Sequence, residues 1–415
     1  MLSPVVAQQF IRVEGTQFLY NGQPYRFIGT NFWYGMNLAS KGEDGDRERL
    51  LKELDHLKTF GLTNLRIMAA SEGPDSEPWR MVPALLKTPG QYDEAVLDGL
   101  DFLLAEMGRR GMNAVVCLNN FWPGSGGMAQ YVNLFEAKKI PYPPPAKDGN
   151  WWEYMKYTTR FYKNKRAQKA YLDHIAFLIN RKNPYTGKLY RDDPTIMAWQ
   201  LANEPRGVLK AKAMNRWIAE TAAFIKTLDQ NHLVSVGSEG NTSSFTAGNN
   251  FVKNHSSPHI DYTTIHIWVQ NWGWYDPLDA ENTFPKALEK AKKYMDQHIN
   301  LAQTLNKPVV LEEFGISRDK NDHDIQGGLM WRNEYFEAVF EMVFQKAGNG
   351  PLAGCNFWAW GGLGRPSAPQ AIWQKGDDFI GDPPHEYQGW YSVYDVDEET
   401  LDIIKTYSLK IKQIK

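Results

Sequence analysis

A (β/α)8 TIM barrel in the α/β class is the fold this sequence predicts, and three observations carry it. Apolar runs of strand length alternate with segments of helical period along nearly the whole chain, eight such strands can be counted, and no Gly-x-Gly-x-x-Gly follows any of them. Alternation of this kind builds a parallel sheet, and eight units let that sheet close on itself. The missing glycine pattern sets aside an open dinucleotide-binding sheet. The 415 residues show no linker composition and no internal repeat, so 1–415 reads as a single domain.

The elements follow in order. Residues 1–9, a short apolar stretch ending in small and polar residues, read as a disordered end or as the remnant of a secretory signal. Residues 10–13 and 17–20 form a short N-terminal β-hairpin, with Asn21-Gly22 as a tight-turn signal before 24–28. The eight barrel strands are expected at 27–31, 65–68, 114–119, 196–201, 233–237, 262–266, 309–312 and 354–358. Between them, Leu50, Leu54 and Leu57 share one helical face, with Gly61 as a stop. Residues 97–107 repeat the scheme and end at Gly111, and 217–228, 285–305 (opened by Pro285) and 331–347 (stopped by Gly348) supply three more helices. Two connections are long: 121–162 after the third strand and 361–395 after the eighth, both rich in aromatic residues. Loops of that length in a compact domain usually serve as walls or lids of a site.

Composition excludes several functions. Lys plus Arg number 46 and Asp plus Glu 48, and no basic run interleaves with aromatics, so a nucleic-acid partner is not expected. No run approaches the roughly 18 apolar residues of a membrane span, so no membrane insertion is expected. The two cysteines, Cys117 and Cys355, lie in apolar strands and suggest neither a disulfide nor a cysteine metal site. Aromatic residues make up 13% of the chain, with 15 Trp, more than packing asks for, and their flat faces suit flat ligands.

In such a barrel the polar residues just beyond each strand form the site. Those ends carry Asn31, Trp33, Arg66, Asn119, Asn120, Asn203, Glu204, Glu239, His266, Trp268, Glu312, Glu313, Trp358 and Trp360. Glu204 on the fourth strand and Glu313 on the seventh face each other across the ring, the arrangement glycoside hydrolysis needs: one carboxyl group protonates the leaving oxygen while the other attacks the anomeric carbon or activates water. Alternation along a strand allows one of Glu312 and Glu313 to point inward. Glu313, nearer the strand end, is assigned to the mouth, and Glu312 is expected to point toward the helices. The structural alternative is that Asn-Glu-Pro and Glu-Glu at strand ends are capping or solvated elements. His174 sits in a helical pattern and reads as satisfied packing. His255, His259 and His266 lack the carboxylate spacing of a metal cluster, so neither a metal nor a cofactor is expected.

The segments DDPTIMAWQLANEPRG (192–207), LEEFG (311–315), NLRIMA (64–69), TTIHIW (263–268) and NFWAW (356–360) resemble glycoside hydrolase family 5, in its β-mannanase branch, over nearly the whole chain from about residue 10. The resemblance implies a retaining hydrolase of β-1,4-mannosidic linkages in mannan or manno-oligosaccharides, with Glu204 as acid and base and Glu313 as nucleophile. It further implies that Asn203 holds the sugar 2-hydroxyl, Arg66 buttresses the nucleophile and His266 lines the site, while Trp358 floors the reacting sugar, with Trp360 as second choice. Asn120 and Trp122, beyond the third strand, join the substrate-binding set; for Trp122, as for Trp33, core packing is the competing reading.

One departure stands out. Relatives carry a tyrosine two residues after the histidine, donating to the nucleophile, and here that position is Trp268, so either its indole N–H substitutes or the ring is a stacking wall. The 376–395 segment is expected to wall the non-reducing side of the cleft, which would turn the generic endo action of the family toward exo cleavage. The competing readings are an exo-β-mannosidase or mannobiohydrolase, a cellulase-like β-1,4-glucanase, a transglycosylase, and a non-catalytic glycan-binding barrel. A monomer is expected, secreted or periplasmic if the signal reading holds, with the cytoplasm as the alternative.

Overall fold

A computed structural model describes residues 9–242 and 244–414. Eight parallel strands form its sheet: β1 (Phe27–Asn31), β2 (Asn64–Met68), β3 (Asn113–Cys117), β4 (Ile196–Gln200), β5 (Leu233–Ser235), β6 (Thr263–Ile267), β7 (Val309–Phe314) and β8 (Leu352–Phe357). Their order is β5-β4-β3-β2-β1-β8-β7-β6. The seam between β5 and β6 is bridged by hydrogen bonds from Asp261 N to Val234 O (2.9 Å) and from His266 N to Glu239 O (3.0 Å). The result is the expected barrel, in which each strand is buried on both faces.

The N-terminal hairpin becomes a three-stranded antiparallel sheet through Gln23–Pro24. Its turn places Asn21 and Gly22 at φ 52° and 74°, a conformation these two residues adopt at little cost. The hairpin closes the bottom of the barrel, where Ile11 and Phe18 pack against Phe27, Val115, Ala198, Leu233, Tyr262 and Val310. Residues 1–8, with most of the proposed signal remnant, lie outside the described residues.

The helices sit where their periodicity places them, with some corrections. Arg47–Thr59 buries Leu50, Leu54 and Leu57, and its N-cap Asp46 accepts from Arg49 N. The helix expected to open at Pro285 instead runs Ala280–Leu305 and carries Pro285 inside it. Lys165–Ile179 and Glu398–Ile411 are further helices that complete the outer layer. The long stretch after β3 is itself structured, with helices Gly127–Glu136 and Trp151–Thr158. No helix among the described residues is long and apolar enough to cross a membrane.

The strand alternation rule fails in one consequential place. Ile265 pairs with Leu311 and the next residue, His266, with Glu313, so a bulge in β7 takes up Glu312. Glu312 follows Val310 into the barrel interior, where both its oxygens accept from Gln200 Nε2, at 2.9 and 2.8 Å. It does not point toward the helices as expected; the bulge lets both glutamates of the pair face inward.

After β8, Trp360–Gly362 pairs with Val393–Tyr394, and the 30 residues between them return over the mouth of the barrel. The loop is tied at its base. Asp382 accepts from Tyr391 N (2.7 Å), Gly389 N (3.0 Å) and Ser392 Oγ (2.6 Å), and the buried Arg332 donates to the carbonyls of Ser392 and Trp390. Satisfied backbone groups of this kind make a loop rigid.

Candidate active site

The cleft at the C-terminal ends of the strands holds about 580 Å³, within the range of small-ligand sites. Arg66 organises its centre. Its guanidinium donates to Glu313 Oε1, to Asn31 Oδ1 (2.9 Å), to Gln200 Oε1 (2.7 Å) and to Asn203 Oδ1 (2.7 Å). Burial works against the guanidinium charge, but Glu313 and Glu312 beside it outweigh that and raise its pKa. Held this way, Glu313 is an oriented carboxyl group.

Glu204 is delivered by the end of β4 with a left-handed backbone (φ 48°), and its N–H donates to Gly237 O. A non-glycine residue in that region is strained by roughly 1–2 kcal/mol, a cost met at functional positions. Three donors converge on its carboxylate: His266 Nδ1 at 2.6 Å and Trp268 Nε1 at 3.3 Å on Oε1, and Trp122 Nε1 on Oε2. Trp268 therefore bonds to Glu204 rather than to Glu313. Its indole N–H is a hydrogen-bond donor, and its ring also lines the cleft.

His266 Nδ1 also lies 3.3 Å from Glu313 Oε2. Burial pushes the imidazole toward its neutral form, but the Glu313 charge, the hydrogen bond with Glu204 and the nearby Glu312 outweigh it and raise its pKa well above the usual value. One oxygen of Glu204, one of Glu313 and a ring nitrogen of His266 lie within 4.8 Å of one another. By spacing alone such a trio suits a cation. The donor set does not, because Arg66 already occupies Glu313 and a charged His266 has no lone pair to give.

The remaining expected residues fall around this centre. Asn203 Nδ2 donates to Asn120 Oδ1 (3.2 Å), and Asn120 Oδ1 also accepts from Trp122 N (3.0 Å). Trp358 lines the cleft beside Trp268, their rings 6.0 Å apart and steeply inclined. Trp360 does not reach it. β8 ends at Phe357, and Trp360 begins the next ladder, fully buried with its N–H on Glu53 Oε2 (3.2 Å). Trp33 lies under the β8 loop, bonded to Gly381 O, with an edge on the cleft. His174 is satisfied by Tyr92 and Ala69 O, and Cys117 and Cys355 are buried and free.

Several lining residues lie beyond what strand ends point to. Arg206 pairs with Glu239 through two 2.7 Å bonds and lies 4.8 Å over the Trp122 ring. From the β8 loop come Pro383, His385, Glu386, Tyr387, Trp390 and Tyr391. Burial raises the Glu386 pKa well above the usual carboxylate value, and the charges of Asp382, Glu313 and Glu204 add to it. The β8 loop meets the β3 loop at Gly124, where a side chain would stand 2.8 Å from His385 Nδ1 and 3.2 Å from Pro383 Cβ. Strand-end logic does not reach residues this far into a loop; the aromatic run HEYQGWY (385–391) is the available signal.

Two buried carboxylates on opposed strands of a barrel, ringed by indoles and amides, define a glycoside hydrolase. The family model described as glycoside hydrolase family 5 β-mannosidase-like matches residues 8–415. The chain belongs to that family. The crystal structure of a glycoside hydrolase family 5 mannosidase from Rhizomucor miehei superposes with a TM-score of 0.90 at 39% identity over 98% of both chains, and a mutant of it has been solved in complex with mannosyl-fructose. The mannan endo-1,4-β-mannosidase 7 of Arabidopsis thaliana is 33% identical over 84% of this chain and 77% of its own. The endo-1,4-β-mannanase of Rhizomucor miehei shares the fold, with a TM-score of 0.71 at 22% identity over 98% of this chain and all of its own.

Proposed function

We propose that this hydrolase cleaves β-1,4-mannosidic linkages from chain ends, by a retaining double displacement. The contact of the β8 loop with the β3 loop at Gly124 carries the exo reading. The line from Glu204 on β4 to Glu313 on β7 divides the ring of strands, with β5 and β6 on one side and β8, β1, β2 and β3 on the other. The reacting sugar rests on Trp358, just beyond β8, so the glycon lies on the second side, and there the loops close over it. The leaving portion is assigned to the first side, lined by Arg206, Asn271 and Trp272.

In this reading Glu313, fixed by Arg66, attacks the anomeric carbon. Glu204 gives its proton to the leaving oxygen and then takes one from the incoming water. Its Oε1 accepts from two donors and its Oε2 from Trp122 alone, so Oε2 is the oxygen with room to carry the proton to the leaving group. The close approach of the two carboxylates supports the retaining route, which uses a gap of about 5 Å, whereas inversion needs about 6.5–9.5 Å to admit a water. Asn203, its carbonyl held by Arg66 and one amide hydrogen by Asn120, keeps a second amide hydrogen for the hydroxyl next to the anomeric carbon. Mannose as the preferred sugar rests on the names of the relatives, and secretion on the composition of residues 1–9.

Chromatography of early products from mannohexaose tests the exo reading. Mannose accumulating with mannopentaose is expected, and an initial spread of intermediate oligosaccharides overturns it. A parallel panel of gluco-oligosaccharides and xylan, expected to be turned over far more slowly, tests the sugar.

A further inference from the structure

The bulge in β7 puts a third carboxylate, Glu312, beneath the two that face the cleft, and neither the attack nor the proton transfer uses it. It lies fully buried among polar groups drawn from around the barrel. Both oxygens accept from Gln200 Nε2, Oε1 is 3.4 Å from Tyr262 OH, and Oε2 lies 3.9 Å from both Arg66 Nε and His266 Nε2. His266 Nε2 is buried and has no hydrogen-bond partner, so Glu312 is the anion it faces. The opposite ring nitrogen, Nδ1, is the one that contacts Glu204 and Glu313.

We propose that Glu312 is a positioning residue whose negative charge keeps His266 protonated, so that Nδ1–H is always presented to Glu204 and Glu313. The reason is charge balance. The buried centre contains two cations, Arg66 and His266, and three carboxylates, Glu204, Glu312 and Glu313. With Glu204 carrying the proton it is to donate, two anions balance two cations. Without the Glu312 charge a single anion faces two cations, and the least costly relief in a site of low polarity is for His266 to lose its proton. Nδ1 then no longer needs to donate, and Glu204 loses the 2.6 Å bond that fixes which oxygen meets the leaving group.

Other charges facing this centre do not substitute for Glu312. Arg66 from β2 is committed to Glu313 and three amide oxygens, and Cys117 from β3 is held neutral by burial, its thiol pushed up to about 11. Tyr262 from β6 is likewise driven to its neutral form, β5 presents Ser235, and β1 and β8 present Asn31 and Asn356. Glu239 at the end of β5 is neutralised by Arg206, and Glu386 of the β8 loop is shifted toward its protonated form.

The proposal rests on Glu204 and Glu313 as the catalytic pair, and a spectroscopic reading separates the two. Glu312→Gln keeps the shape and an oxygen for Gln200 Nε2 to bond. Ring nitrogen shifts of 15N-histidine-labelled protein, with His266→Asn assigning the resonance, are expected to show a cationic His266 at pH 7 in the parent. In Glu312→Gln the same ring should titrate lower by about one pH unit or more, a tenfold fall in the ratio of protonated to neutral form at fixed pH. The alkaline limb of kcat/KM should move to lower pH by the same amount. A neutral His266 in the parent, or a titration and pH profile unchanged in the variant, overturns the proposal, and the parent spectrum alone can do so even if the variant does not fold. A changed titration with Glu313→Ala still active would instead remove the catalytic reading and leave the charge coupling standing.

Discussion

Replacing Trp122 with Phe removes the indole N–H together with one of the two fused rings. An aromatic ring is kept under Arg206, while the donor to Glu204 Oε2 is lost. A hydrogen bond to a charged group contributes about 1.5–3 kcal/mol. With Glu204 as the proposed acid, the bond matters most as the proton leaves, so its loss is expected to fall on the bond-breaking transition state rather than on substrate binding. At about 1.4 kcal/mol per decade, the full effect is roughly 10- to 150-fold in kcat/KM. Trp122 is partly exposed, and Glu204 keeps His266 and Trp268 as donors, which favours the low end, about tenfold. The assay compares two leaving groups. Mannobiose needs the proton and should lose about tenfold, whereas 2,4-dinitrophenyl β-mannoside, whose phenolate departs unaided, should lose less than about twofold. Equal losses on both substrates would mean that Trp122 acts by stacking on the sugar and that its bond to Glu204 has no catalytic weight.

Three further outcomes follow from the same geometry. Arg66→Lys keeps the charge but cannot satisfy Glu313, Asn31, Gln200 and Asn203 together, so it should lower kcat at least tenfold and stability by about 2 kcal/mol or more, read from activity and urea unfolding. Trp358→Ala should raise KM and lower kcat, while Trp360→Phe, which loses its bond to Glu53 and leaves a void where the second ring was buried, should cost about 2–4 kcal/mol of stability and leave KM unchanged. Burial lowers the pKa of His174 and His298 to about 4 and of His255 and His385 to about 3. Each of these contributes its stability fully above the unfolded value near pH 6.5 and loses it as the pH falls toward the folded value, so the melting temperature should drop between about pH 6.5 and 4. His266 has the opposite sign, its contribution being lost as pH rises, and a melting temperature that held steady on acidification would contradict the burial of the other four.

The barrel is legible in the sequence because a parallel strand is written as a short apolar run, and its end as the first polar residue after it. That is why Arg66, Asn203, Glu204, His266 and Glu313 can be picked by position and are found together. Glu312 cannot be placed correctly that way, since a bulge shifts alternation by one residue and leaves no mark on composition. Trp360 is misplaced for a related reason: alternation does not continue past Phe357, where the strand has ended. Residues of the β8 loop, Glu386 and His385 among them, have no periodic rule to locate them, because their positions depend on the Asp382 and Arg332 anchors and on the contact with Gly124. Two roles are open to Trp268 in the sequence, donor to Glu313 or stacking wall, and the structure adds a third: its N–H lies on Glu204 while its ring lines the cleft.

The two-carboxylate reading is tested most directly by the anomeric configuration of the first product. Proton NMR of an aryl β-mannoside digest, recorded before mutarotation, should show β-mannose appearing first and the α anomer only later. An α anomer formed first would mean that water, not Glu313, meets the anomeric carbon, and would contradict the account.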